Sequence, residues 1–210
     1  MMALGELEQD ALTEIFNIGV GLAADALYQI GGEHVPLSVP VVELTNQQQA
    51  RQQFMQREQR LLYAISQTYR GVFSTDATLL FPKDHSAALV RLMVGGDASD
   101  SFDDDITLDA MAEMGNIVLN AVISNLSSAL NLPLEGSLPE VHLLSADRVF
   151  GHVHGPSTQV NAEEAPVLAL MVEFALSTEQ VCGYLVFELD SNSSEKLLAR
   201  LSRYVGTAPS

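Results

Sequence analysis

Ten residues of this chain recur at a constant offset of 99 positions without a gap: Asp10 and Asp109, Ala11 and Ala110, Glu14 and Glu113, Asn17 and Asn116, Ile18 and Ile117, Leu27 and Leu126, Ser38 and Ser137, Pro40 and Pro139, Val42 and Val141, Leu44 and Leu143. A repeat of this length requires the two parts of the chain to fold alike and to carry two equivalent surfaces. Its densest part is helical in spacing. At roughly 100° per residue, the positions i, i+4 and i+7 place Asp10, Glu14 and Asn17 on one stripe, and Asp109, Glu113 and Asn116 on another. In the first copy Leu12, Ile15, Phe16, Leu22, Ala23, Ala26 and Ile30 form the core-facing set at helical period, which leaves the polar stripe to face outward.

The rest of each copy reads as an α+β unit. A helix over Glu6 to Ile30 stops at Gly31-Gly32 and gives way to a strand at Val39 to Leu44. The polar run Asn46 to Gln59 fits a short helix or an excursion between strands. Leu61 to Thr68 and Val72 to Phe81 form an antiparallel pair turning at Tyr69-Arg70-Gly71, followed by a helix at His85 to Val94. The acidic connector Asp97 to Asp105 leads into the second motif helix, which runs to Leu130. A strand at Val141 to Leu144 follows, then a hairpin from Pro166 to Leu176 and Gln180 to Leu189. A closing helix is capped by Asp190 or Ser191. The expected architecture is one domain over residues 1–210 with pseudo-twofold duplicated halves, about 1–96 and 97–210. An antiparallel sheet is drawn from both, with the two long motif-bearing helices packed on it.

Composition narrows the function. The chain has 210 residues, 47% of them hydrophobic, and a formal net charge of -17 from 10 Lys plus Arg against 27 Asp plus Glu. That is a globular balance, and its charge disfavours nucleic acid and anionic membrane surfaces as partners. The lone Cys182, in a strand-like run, reads as a buried inert thiol. No basic, apolar leader opens the sequence, and the apolar runs look too short or interrupted to span a bilayer, so a cytoplasmic protein is expected. Asp103, Asp104 and Asp105 suit a helix N-terminus better than a metal, because adjacent residues do not converge on one point. His152 and His154 lack a third ligand and are better placed in a loop.

Core packing after duplication explains matching apolar residues, whereas an outward Glu and Asn have no packing reason to match. The pattern of Asp, three residues, Glu, two residues, Asn, then 22 residues and Pro resembles the signature of the CheC/CheX/FliY family of bacterial chemotaxis phosphatases, and in particular its CheC type. Asp10, Glu14, Asn17 and Pro40 satisfy it, as do Asp109, Glu113, Asn116 and Pro139. The two-motif layout is similar to the CheC type; the CheX type has one motif per chain, and the flagellar-switch type carries extra terminal segments.

The resemblance implies hydrolysis of the aspartyl-phosphate on a CheY-type response regulator. Asn17 and Asn116 would hold the attacking water through their carbonyls, and Glu14 and Glu113 would pair with the regulator's active-site lysine. Asp10 and Asp109 would cap, bond locally or touch the partner's edge, and Pro40 and Pro139 would fix the return from helix to sheet. No cofactor or metal is expected in this chain; magnesium would arrive with the phosphorylated regulator. The alternative is a non-catalytic adaptor that binds the regulator or the receptor-modifying deamidase CheD, which the family engages.

Overall fold

The computed structural model describes residues 4–32, 35–38, 42–96, 102–150, 166–175 and 180–207. Helix α1 (Glu6–Gly31) opens where the Glu8 carboxylate accepts the Gly5 N–H, and closes on Gly32 in the left-handed conformation. Strands β1 (Leu37–Ser38) and β2 (Val42–Asn46) follow, then helix α2 (Gln47–Arg57), whose first turn is capped by the Asn46 side chain. The run that sequence left open between helix and excursion is thus a helix. Strands β3 (Leu61–Gly71) and β4 (Ser74–Pro82), helix α3 (Ser86–Val94) and helix α4 (Asp104–Leu130) complete the first half and begin the second. Then come β5 (Leu134–Gly136), β6 (Glu140–Ser145), β7 (Pro166–Ala175), β8 (Gln180–Leu189) and α5 (Ser191–Thr207).

All described strand pairs are antiparallel and belong to one sheet. Its order is β1-β7-β8-β4-β3-β5, with β2 also on β7 and β6 also on β3. Two successive short strands therefore flank each side: β1 and β2 on β7, β5 and β6 on β3. The same register relates both sides. Leu44 opposes Leu168 as its repeat mate Leu143 opposes Tyr63, and Leu37 opposes Phe174 as Gly136 opposes Tyr69. The α+β class, the antiparallel sheet and the pseudo-twofold plan are those the repeat demands.

Helices α1, α3, α4 and α5 cover one face of the sheet. Their core includes Leu12, Phe16, Val20, Leu27, Met111, Met114, Val118 and Leu201, packed on the sheet residues Ile65, Leu79, Leu170, Leu185 and Phe187. The α1 stripe differs from the expected one. Leu12, Ile15, Phe16, Gly19, Val20, Ala23 and Leu27 are buried, whereas Leu22 and Ile30 are half exposed. The inward line drifts with the 3.6-residue turn, and Gly19 belongs to it because a Cβ there would lie 2.9 Å from the Val122 Cα. A second, smaller core of Phe54, Phe150, Leu62, Leu80 and Val186 lies on the other face under α2.

Three further expectations change. The β3–β4 turn passes through Gly71, Val72 and Phe73, not through Tyr69-Arg70-Gly71: Tyr69 stays in the strand, 2% exposed, because its ring fills the core. Cys182 is half-buried and unpaired. Helix α4 is, by length and composition, apolar enough to cross a membrane, but its apolar stripe lies against the sheet and α1, which suffices to explain that composition. Residues 39–41, 97–101, 151–165 and 176–179 lie outside the described residues, and with them Pro40, His152, His154 and part of the acidic connector.

Two glycines separate packing from propensity. A Cβ on Gly115 of α4 would sit 2.1 Å from Ile65 Cγ2, while one on Gly21 of α1 would meet nothing within 4 Å. Gly115→Ala is expected to destabilise by about 1–3 kcal/mol through overpacking. Gly21→Ala is expected to stabilise by up to about 1 kcal/mol through helix propensity. Denaturant melts of the two variants check the opposite signs.

Candidate functional site

Both motif helices carry the Asp, Glu and Asn residues that the repeat singled out outside their buried stripes. Glu14 and Glu113 are exposed; Asn17 and Asn116, one turn further on, are half-buried at the margin of the core. Asp10 and Asp109 are exposed within the first turns of their helices. Neither is a cap. Glu8 closes the start of α1, and Asp103 accepts the Ile106 N–H at 2.8 Å to start α4. Capping is therefore removed from their possible roles, and a contact with a docked partner or a favourable position near the positive helix end remains.

Ile18 sits one turn after Glu14 and is 49% exposed, and Leu22 beside it is 50% exposed. The match of Ile18 with Ile117 therefore does not follow from core packing alone, although Ile117 is partly buried against the core. An exposed Ile next to a carboxylate and an amide makes a docking surface with an apolar centre and polar rim. Its signal was present in the repeat, but it was absorbed there into the apolar matches.

Around Asn116 the structure adds a network that the repeat does not contain. The Gln67 Nε2 donates to Asn116 Oδ1 at 3.2 Å and to the Ser137 carbonyl at 2.9 Å. Asn120 Nδ2 donates to the same Asn116 oxygen at 2.7 Å. The Tyr69 hydroxyl lies 2.8 Å from Gln67 Oε1 and 3.0 Å from Asn120 Oδ1, closing the ring. Gln67 and Tyr69 are each 2% exposed, and burial holds the Tyr69 hydroxyl well above the usual tyrosine range, so it stays a donor.

The loop before Pro139 joins this ring. Ser137 donates its N–H to the Thr68 carbonyl and accepts the Thr68 N–H with its hydroxyl, while its own carbonyl holds Gln67. Pro139 is half-buried immediately ahead of β6. It thus fixes the path of a segment that touches the site through Gln67. A buried Gln in a strand was the signal available in sequence, but strand patterning alone could not say that it reaches a helix 49 residues later.

Among the described residues no group of three His, Cys, Asp or Glu side chains converges as metal ligands would. A cavity of about 320 Å³ lies beside the second core, lined by Phe54, Phe150, Leu170, Met171 and Tyr184, but it holds none of the motif residues. What the two stripes can offer a folded partner is an amide at the core margin, an exposed carboxylate and, at Ile18, an apolar contact.

Comparison with known proteins follows the same lines. Residues 7–44, which contain the first motif through β2, match the model of the CheC-like family. Across 150 residues the chain is 29% identical to the flagellar motor switch phosphatase FliY of Bacillus subtilis, covering 70% of this chain and 39% of that relative. It is 24% identical over 199 residues to the CheY-P phosphatase CheC of the same organism, covering 93% and 94%. The fold is similar to that of Thermotoga maritima FliY, with a TM-score of 0.76 at 24% identity, covering 97% of this chain and all of that one. The middle domain of FliM from Helicobacter pylori shares the fold at a TM-score of 0.64 and 11% identity, covering 94% and 99%. The chain is thus similar to the CheC-like family model over its first motif helix, and its fold is similar to that of Thermotoga maritima FliY over nearly its whole length.

Proposed function

We propose that the chain hydrolyses the aspartyl-phosphate of a CheY-type response regulator. The observation that carries this reading is the outward placement of both Glu-x-x-Asn pairs on helices whose opposite sides are buried. Such a surface suits a partner that already holds a reactive acyl phosphate and lacks only an oriented water. The water oxygen attacks phosphorus, the bond from phosphorus to the aspartyl oxygen breaks, and the products are the free carboxylate and inorganic phosphate, which carries the water's proton.

In this reading Asn17 and Asn116 are the groups that take the water, through a side-chain carbonyl that accepts its hydrogen bond. Glu14 and Glu113 pair with the partner's active-site lysine and orient docking. Ile18 supplies the apolar contact at the first site. No step needs a metal held by this chain; magnesium belongs to the phosphorylated substrate. The reading places the protein in the cytoplasm with its partner. A second reading is favoured by one specific observation, the engagement of the Asn116 carbonyl inside the protein: an adaptor that docks the regulator, or the deamidase CheD, without turnover.

Asn17→Ala combined with Asn116→Ala is expected to lower phosphate release from phosphorylated regulator by about 10²-fold or more. The fold should survive, at a cost of about 1 kcal/mol for the hydrogen bonds that Asn116 leaves. Unchanged turnover in a folded double variant contradicts the assignment. For docking, Ile18→Ser in an Asn116→Ala background is expected to raise KM about tenfold with kcat unaltered, the effect of losing one buried apolar contact. Steady-state kinetics over a range of regulator concentrations separate the two parameters.

A further inference from the structure

The segment ahead of Pro139 runs beside the second motif helix. A Cβ on Gly136 would lie 3.4 Å from Asn120 Oδ1, which sets the end of β5 against α4 at that residue. One residue on, the Ser137 carbonyl and Asn116 Oδ1 share a single donor, the Gln67 Nε2, at 2.9 Å and 3.2 Å. The chain therefore passes from Asn120 toward Asn116, and Leu138 is the next residue along it. Leu138 is 86% exposed, the most exposed large apolar side chain among the described residues.

The register accounts for that exposure. Gly136 opposes Tyr69 and Glu140 opposes Ser66, so the three residues Ser137, Leu138 and Pro139 face only Gln67 and Thr68 on β3. One residue is in excess, and a surplus residue between two paired strands is pushed out of the ladder and re-aims its side chain. The backbone around it is nonetheless held. Ser137 donates its N–H to the Thr68 carbonyl, accepts the Thr68 N–H with its hydroxyl, and donates that hydroxyl to the Leu138 carbonyl at 2.9 Å. Pro139 then fixes the next φ. A single exposed leucine is ordinary on a surface, but one on a backbone bonded this closely loses little freedom when a partner covers it.

The second helix itself offers little apolar surface beside its Glu and Asn. Ile117 is partly buried against the core, and Ala121 stands where α1 carries the half-exposed Leu22. We propose that Leu138 is the apolar docking residue of the second site, seating in an apolar depression of the phosphorylated regulator beside its acyl phosphate and setting the affinity for docking there. The inference rests on the reading above in which the second stripe receives that regulator. A partner whose acyl phosphate approaches Asn116 meets two walls, Glu113 on the helix and Leu138 on the loop. The carboxylate supplies charge and the leucine supplies the area removed from water, the division expected of an interface with an apolar centre and a polar rim.

The test uses the full chain and a purified regulator carrying beryllofluoride, a stable mimic of the acyl phosphate, with binding followed by calorimetry. Glu14→Lys reverses the docking charge of the first site and leaves binding to the second. In that background Leu138→Ser is expected to weaken binding about tenfold, the loss of one buried leucine contact, and Leu138→Met to keep it within about twofold. In a Glu113→Lys background, which leaves binding to the first site, Leu138→Ser is expected to change the dissociation constant by less than about twofold. Phosphate release in the Glu14→Lys background should show KM raised about tenfold by Leu138→Ser with kcat unaltered. So exposed a side chain has almost no packing to lose, and these variants should fold. An unchanged dissociation constant in the first background overturns the proposal, as does equal weakening in both or a lowered kcat at unchanged KM. Binding by the wild type without release of phosphate removes the hydrolase reading alone, and the same dissociation constants still decide the role of Leu138. Absence of binding by the wild type overturns both.

Discussion

The close crossing of α1 over α4 is the constraint on which the rest of the structure depends. Gly19 lets the α1 backbone approach Val122 to a distance that no larger residue permits, and Asn125 ties the helices further by donating to the Ile15 carbonyl at 2.7 Å. Once the two helices cross this way over one face of the sheet, their buried stripes are fixed: Leu12 to Leu27 on α1 and Met111 to Leu126 on α4. The outward stripes are fixed with them. Glu14 and Glu113 face solvent, with Asn17 and Asn116 at the margin of the core, because the buried stripe occupies the other side of each helix. Glu14 and Glu113 are thus positioned by packing elsewhere on their helices, whereas Asn116 is also held by Gln67 and Asn120.

The duplicated plan makes the halves alike in backbone and lets them differ in chemistry. Strands β3 and β7 occupy matching places, each carrying two short edge strands, yet one places Gln67 under the motif helix and the other Val172. The helices match residue for residue at Glu and Asn, yet one carries Asn120 a turn after the Asn and the other Gly21. Each difference is a single side chain. Together they convert an apolar support into a closed polar ring, since an unpaired buried amide would be costly and a fully paired one rigidifies its surroundings.

Much of this was legible in the residues alone because the repeat exposed it. The gapless offset located both motif helices and the strand after each, alternating β-rich runs located both hairpins, and the match of an outward Glu and Asn set chemistry apart from packing. The misses have physical causes. Leu22 and Ile30 were assigned to the core because apolarity and rough period were the available guides, and the drift of the stripe toward Gly19 is set by the partner helix. Tyr69 was placed in a turn because Arg70-Gly71 follows it, whereas its ring was claimed by the core. Ile18 was counted with the core matches although it faces solvent. The ring of Gln67, Tyr69, Asn116 and Asn120 joins a strand to a helix, and such contacts leave no periodic mark in a sequence.

The central claim is that a folded partner's acyl phosphate is hydrolysed at these stripes, and the most direct measurement is phosphate release from phosphorylated regulator with the chain present at far below stoichiometric amount. A catalyst turns over many regulator molecules per chain, so the account predicts complete loss of the phosphoryl group at an accelerated rate under those conditions. Release that stops at one equivalent per chain, or a rate no faster than the regulator's own, would contradict it and leave the chain a binding adaptor.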